Sequence, residues 1–317
     1  MVRFRPWLDG PSIGPPRRGR FDSWVARAFA LLVAAALGTC GGTPDSPSAP
    51  APPSAPARRI VSLAPSHTEL LFALGAGDAV IGVTRFCDRP PEARTHTVVG
   101  DAQRVNLEVL AALAPDLVVV NAVGVEEALG PMRERVRVLA VPTDTLPQLL
   151  DAVGVLGAAA GRGEAARALR VRMEAALDEA RRRNAGRPRT RVLVVVQHDP
   201  FFVAGAGSYV DALLKTVACE NAAGDLAAAW PTISAEAVLA RMPDAIVDAA
   251  LGPTGRGGDD SAVKAWWGRY PMLPAVKDGR VRALRDEAAI RPGPDLAGAL
   301  RALEDSIAAA PAAGAGK

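Results

Sequence analysis

The chain has 317 residues, of which 49% are hydrophobic and 4% aromatic, with a formal net charge of +3. That length allows two domains, each large enough to bury a core built mainly from Ala, Val and Leu. Much of the basic excess lies in Arg3, Arg5, Arg17, Arg18, Arg20 and Arg27, ahead of the folded body, so nothing argues for a nucleic-acid surface.

Residues 1–40 read as an export signal. Trp24–Leu37 is an apolar run preceded by arginines and followed by small residues, too short for a comfortable membrane span. It ends at Cys40 in LGTCGG, which resembles the lipobox of bacterial lipoproteins, where cleavage before the Cys is followed by lipid attachment. Thr39 departs from the Ala or Gly usual before that Cys, and plain cleavage near Ala34–Ala36 is the alternative. Gly41–Ala57 is crowded with Pro and poor in apolar bulk, hence a disordered tether. Extended, it reaches roughly 50 Å.

Residues 58–160 read as a first α/β lobe. Ile60–Ala64 is an apolar strand, and Ser66 caps a helix carrying Glu69 in its first turns. Strands follow at Ala79–Thr84, Val98–Val99, Asp116–Asn121 and Arg137–Val141, with a helix around Glu126–Arg135 before the last. Residues 161–186 hold a linking helix, Gly163–Arg183, rich in Ala, Leu, Glu and Arg and free of internal Gly or Pro. Leu169, Met173, Ala176 and Leu177 recur at helical spacing along it, and Asn184, Gly186 and Pro188 stop it. It runs about 30 Å, the width of a small domain.

Residues 187–317 repeat the plan of the first lobe. Strands are expected at Arg191–Gln197, Phe202–Ala204, Ala245–Ala249 and Val281–Leu284, with helices at Tyr209–Cys219 and Asp295–Ala308. The repeat is specific at one place. Asn106–Val120 and Ser234–Asp248 each show a capping residue, Glu two positions on, an apolar helix, Pro-Asp and a short strand. Two doubly wound α/β lobes joined by one long rigid helix follow, with ligand expected between them at the carboxyl ends of the strands. Cys87 and Cys219 fall in different lobes and read as buried thiols.

His67 and His198 each lie just past the first strand of a lobe, so the pair could hold a metal, or iron in haem or a chelate, across the cleft. A histidine at a strand end otherwise bonds nearby backbone. His96 has no recognisable ligand spacing. A cleft enzyme of the glycosyltransferase or nucleotide type is the rival class. Against it, no Gly-x-Gly-x-x-Gly follows a strand and no phosphate-binding Gly-Lys-Ser motif occurs. Gly205–Ser208 is a Gly-rich turn into a helix, a weak anion signal and more often turn chemistry. No catalytic constellation or resident cofactor is expected.

RIVSLAPSHTELLFALGAGDAVIGVTRFCDRPPEA, NLEVLAALAPDLVVV, the long helix, DPFFVAG and WPTISAEAVLARMPDAIV together resemble the cobalamin-binding proteins of ABC importers. These belong to the solute-binding proteins with a helical backbone, the class III periplasmic binding proteins, which also carry haem and iron-siderophores. The similarity runs from about Arg58 to Ala309. It implies an exported monomer, periplasmic or at the cell surface, that passes its ligand to a dimeric permease. One surface acid per lobe, Glu108 and Glu236, corresponds to the pair that docks on permease arginines. Trp230 matches a corrin-contacting aromatic, Phe86 stands where the family often has Tyr, and Asp286 and Arg291 fall where polar ligand contacts lie. Phe202 follows a second-lobe strand and is a further candidate for the cleft. Two tryptophans that flank cobalamin in the best-known members are replaced, by about Ala102 and by Asn121. Trp266 and Trp267 are expected to pack the second lobe.

Overall fold

Short runs of Val, Ile and Leu make the first sheet. β1 (Ile60–Ser62), β2 (Val80–Val83), β3 (Thr97–Val98), β4 (Leu117–Val120) and β5 (Arg137–Ala140) lie in the order β3-β2-β1-β4-β5. Every pairing is parallel. β1 and β4 are buried throughout, as central parallel strands covered on both faces must be. Alternate residues divide between two apolar layers: Ile60, Leu117 and Val119 on one side, Val61, Val118 and Val120 on the other. The computed structural model describes residues 55–101, 104–121, 129–250 and 259–308.

Three helices cover this sheet: α1 (Pro65–Ala73), α2 (Leu107–Ala112) and α3 (Leu146–Ala159). α3 was not among the expected elements. Its start is fixed by a capping box in which Thr145 and Gln148 satisfy each other's backbone N–H groups. Where a helix was expected around Glu126–Arg135, the described part is a 3-10 turn, Gly130–Glu134, and residues 122–128 lie outside the described chain. The tether also ends sooner than expected. Ala57 is buried and donates its N–H to the Ala159 carbonyl at 2.8 Å.

The second sheet is built from β6 (Arg191–His198), β7 (Phe201–Val203), β8 (Glu220–Asn221), β9 (Thr232–Ile233), β10 (Ala245–Asp248) and β11 (Val281–Ala283). Its order is β11-β10-β6-β7-β9, with β8 also pairing β6. It does not copy the first lobe. β7 runs antiparallel to both β6 and β9, because only two residues separate it from β6 and a parallel return needs a long crossover. Helices α5 (Tyr209–Thr216), α6 (Ala235–Arg241), α7 (Asp260–Trp267), α8 (Pro274–Lys277) and α9 (Leu296–Ile307) complete the lobe.

Between the lobes runs α4, Gly163–Asn184. Leu169, Met173, Leu177 and Ala180 form its buried stripe, while Glu and Arg pairs such as Arg183–Glu179, at 2.9 Å, lie outward. The stripe packs on α3 from the first lobe and α9 from the second, so one apolar core continues through both. Cys87 and Cys219 are both free. Cys87 is buried as expected, whereas Cys219 is only half-buried, with burial pushing its thiol pKa up.

Candidate ligand-binding cleft

The carboxyl ends of the first-lobe strands supply one side of a cavity of about 470 Å³. Leu63–Ser66 follow β1, Asn121 follows β4, and Thr143 and Asp144 follow β5. Trp230 and Ile290–Pro292 close it from the second lobe. A neighbouring cavity of about 630 Å³ shares Pro65 and Arg291 and is lined by Thr84–Asp88 and Glu287. Together they occupy the place where ligands of parallel α/β sheets bind, beyond the strand ends. A larger cavity of about 850 Å³ lies within the second lobe, away from the seam. Charges there pair among themselves, Arg191 with Glu220, Lys215 with Asp211 and Arg241 with Asp225.

The two walls differ in chemistry. On the first lobe, Ser66 and Thr143 share a hydrogen bond at 3.1 Å. Asn121 Oδ1 accepts from Thr143 Oγ1 at 2.7 Å and from Thr143 N at 3.1 Å. A backbone N–H can only donate, so the Asn121 NH₂ is turned to Asp144 Oδ1, 3.2 Å away. On the second lobe, Trp230 stacks on Phe202 with centroids 6.1 Å apart. The loop bearing Trp230 is held by Gly205, whose N–H donates to Ala229 O at 2.9 Å. A Cβ at Gly205 would collide with the Ala228 carbonyl, so glycine is required for this close approach. The anion position suggested by Gly205–Ser208 is filled from within, since Asp211 Oδ2 accepts from Gly207 N at 3.0 Å.

Charges gather at the seam. Arg291 Nε lies 2.9 Å from Glu69 Oε1, and its Nη1 lies 2.9 Å from Asp88 Oδ1 and 3.5 Å from Glu287 Oε2. Arg89 bridges Asp286 at 3.2 Å and approaches Glu69 at 3.5 Å. Acids of the first lobe are thus neutralised by an arginine of the second, and the reverse. Burial pushes the Glu69 carboxyl pKa up, against the opposing pull of Arg291 and Arg89.

Comparison with known proteins agrees with this geometry. The family model described as periplasmic binding protein matches residues 60–288. The vitamin B12-binding protein of Salmonella typhimurium is 34% identical over 235 residues, covering 72% of this chain and 85% of that protein. The chain belongs to the periplasmic binding protein family. An uncharacterized ABC transporter substrate-binding lipoprotein of Bacillus subtilis, YvrC, is 29% identical over 259 residues, covering 79% of this chain and 80% of its own. Among solved structures, the periplasmic haem-binding protein RhuT from Roseiflexus superposes with a TM-score of 0.66 at 29% identity, covering 79% of this chain and 97% of that one. The molecule is accordingly an extracytoplasmic solute-binding protein and not an enzyme, with two α/β lobes of the class III kind.

For this periplasmic binding protein, the expected cleft residues separate into those that reach the cavities and those that do not. Trp230 and Arg291 line the first, and Phe86 and Arg291 the second. Phe86 is 55% exposed, with the Arg85 guanidinium 4.9 Å above its ring. Phe202 stacks on Trp230 and lines neither cavity. Asp286 caps a turn and pairs with Arg89, so its carboxylate is committed to the seam.

His67 is a correction. It lies one turn into α1, is 0% exposed, and its Nε2–H donates to the Val141 carbonyl at 2.7 Å. Burial lowers its pKa from 6.5 to about 4, so the ring is neutral and sealed away from ligand. His198 is likewise removed from any shared metal site. Its Nε2 contacts Asp248 Oδ2 at 2.6 Å and its ring stacks on Trp266 at 3.7 Å, inside the second lobe. Among the described residues, no cluster of three or more His, Cys, Asp or Glu side chains is arranged to hold a metal.

Glu108 and Glu236 both stand exposed in the first turn of their helices, α2 and α6, behind the N-caps Asn106 and Ser234. A hydrogen bond from Ser234 holds the Glu236 carboxyl below the usual range. Cys40 and Ala102 lie outside the described residues. Sequence reasoning missed Asp88, Arg89, Thr143 and Asp144. The signal for the last two was the capping box that begins at Thr145, which places the preceding residues at a strand end.

Proposed function

We propose that this protein is the substrate-binding component of an ABC importer and carries a corrinoid in the cleft between its lobes. One observation carries the reading: Trp230, stacked on Phe202, lines a cavity whose opposite wall is hydrogen-bonding. A corrinoid has that shape, a broad macrocycle with amide groups at its edge, and a stacked aromatic wall suits it. The similarity to vitamin B12-binding proteins supports the same ligand. Glu108 and Glu236 are the permease-docking acids, one per lobe, matching a partner with two equivalent halves.

Haem is the second reading, supported by the likeness to RhuT. Against it, neither histidine first considered for iron reaches the cleft. Titration calorimetry with cyanocobalamin and, separately, haemin decides between them. One-to-one binding of cyanocobalamin, at least about tenfold tighter than haemin, is expected. Tighter binding of haemin moves the protein to the haem carriers, and heat from neither ligand sinks both readings.

A further inference from the structure

Asp144 is placed with unusual care for an exposed acid. Its carbonyl accepts from the Tyr209 N–H of the second lobe at 2.9 Å, so its main chain is pinned where the lobes meet. Its carboxylate is held by Asn121, whose own orientation is dictated by Thr143. Asn121 and Thr143 thus fix a carboxylate on the wall of the cavity that Trp230 closes from the other lobe.

Charge in that cavity is one-sided. Asp144 and Arg291 are the charged side chains lining it among the described residues. Arg291 lies against Glu69, Asp88 and Glu287, so its positive charge is balanced locally. Asp144 faces the neutral amide of Asn121 and keeps its negative charge for whatever enters. Such a charge accepts N–H groups strongly and repels other anions.

We propose that Asp144, positioned by Asn121, selects the ligand by charge, accepting amide N–H groups at the edge of an uncharged macrocycle and rejecting one that carries carboxylates. The inference rests on the corrinoid reading and sharpens it. Corrinoids with carboxamide edges satisfy the wall, whereas haem brings two propionates to it. Specificity arises from the repulsive element as much as from the attractive one.

The test is the ratio of the haemin dissociation constant to that of cyanocobalamin, measured by calorimetry for the wild type and for Asp144→Asn. The ratio is expected to fall at least about tenfold in the variant, and further in Asp144→Lys. Raising the salt concentration should lower the ratio in the wild type and leave it nearly constant in Asp144→Asn, a signature that a purely structural role would not give. If Asp144→Asn fails to fold, Asn121→Ser leaves the carboxylate present but unaimed and should lower the ratio by about threefold. A wild type that favours cyanocobalamin with a ratio unmoved by these changes overturns the proposal and leaves the corrinoid reading standing. A wild type that favours haemin overturns both.

Discussion

His67 and His198 stand close to the first strand of their respective lobes, yet one is sealed beneath a helix and the other is clamped between an aspartate and two tryptophans. The difference begins in the strands. β1 has three residues and hands the chain straight to α1, whose inward face takes His67 down to Val141. β6 has eight, because it turns back on itself through β7, and its last residue reaches the aromatic cluster of Phe201, Trp266, Trp267 and Tyr270. Two α/β lobes of different sheet topology therefore build different interiors. The first is aliphatic and ends in a polar wall, and the second adds an aromatic cluster to its aliphatic core and ends at the stacked Trp230 and Phe202. A cleft made from unlike halves can grip one molecule by its face and by its edge at once.

The contrast can be broken most severely at Trp267, which is fully buried and donates its indole N–H to Asp248 at 2.6 Å. Trp267→Ala removes the largest side chain of the second core and one of the three hydrogen bonds to the buried Asp248 carboxylate, the others coming from His198 and the Ala250 N–H. A loss of about 3–5 kcal/mol in urea unfolding is expected. A loss below about 1 kcal/mol would mean that the aromatic cluster does not organise that lobe.

His67 gives the first lobe a pH dependence of known sign. Its folded pKa is depressed, so the folded state favours the neutral ring and binds fewer protons than the unfolded state between about pH 4 and 6.5. The associated stability is complete above about pH 6.5 and drains as the pH falls toward 4, by about 3 kcal/mol in all. Urea midpoints taken from pH 7 down to 4 should show a shallower acid limb for His67→Gln than for the wild type. An unchanged limb would place the acid sensitivity elsewhere.

The smallest effect on the fold is expected at the two acids that the lobes share. Reversing Glu108 or Glu236 to Arg should leave both the urea midpoint and ligand affinity nearly unchanged. Uptake of labelled ligand by cells should nonetheless fall in either variant, and should fall also for Cys40→Ser if the tether is lipid-anchored. Lost ligand binding in the Glu variants would remove them from permease docking.

Much of this architecture was legible from the chain. The limits of α4 come within one residue of the expected Gly163–Arg183, because a long run of helix formers bounded by Gly and Pro has few other options. The paired capping residues before Glu108 and Glu236 likewise announced two matched helix starts. α3 escaped notice because Pro147, Gly154 and Gly157 interrupt its pattern, although Gly157 is there to let α4 approach at Ala166. The direction of β7 is also readable, since the four residues Gln197–Pro200 between the apolar runs are too few for a crossover and leave only a hairpin. What could not be read was the partner of each polar side chain. Whether Arg291 meets a ligand or three carboxylates, and whether His67 points outward or inward, depends on contacts between segments up to about two hundred residues apart.

α4 is gripped along one stripe by helices from both lobes, so it cannot serve as a loose pivot. Its amide protons should be among the slowest in the molecule to exchange with solvent. On the docking reading proposed above, ligand-free and loaded forms are expected to differ by a small flexing and not by a wide swing, and a membrane partner would tell them apart by the spacing of two acidic points rather than by gross shape.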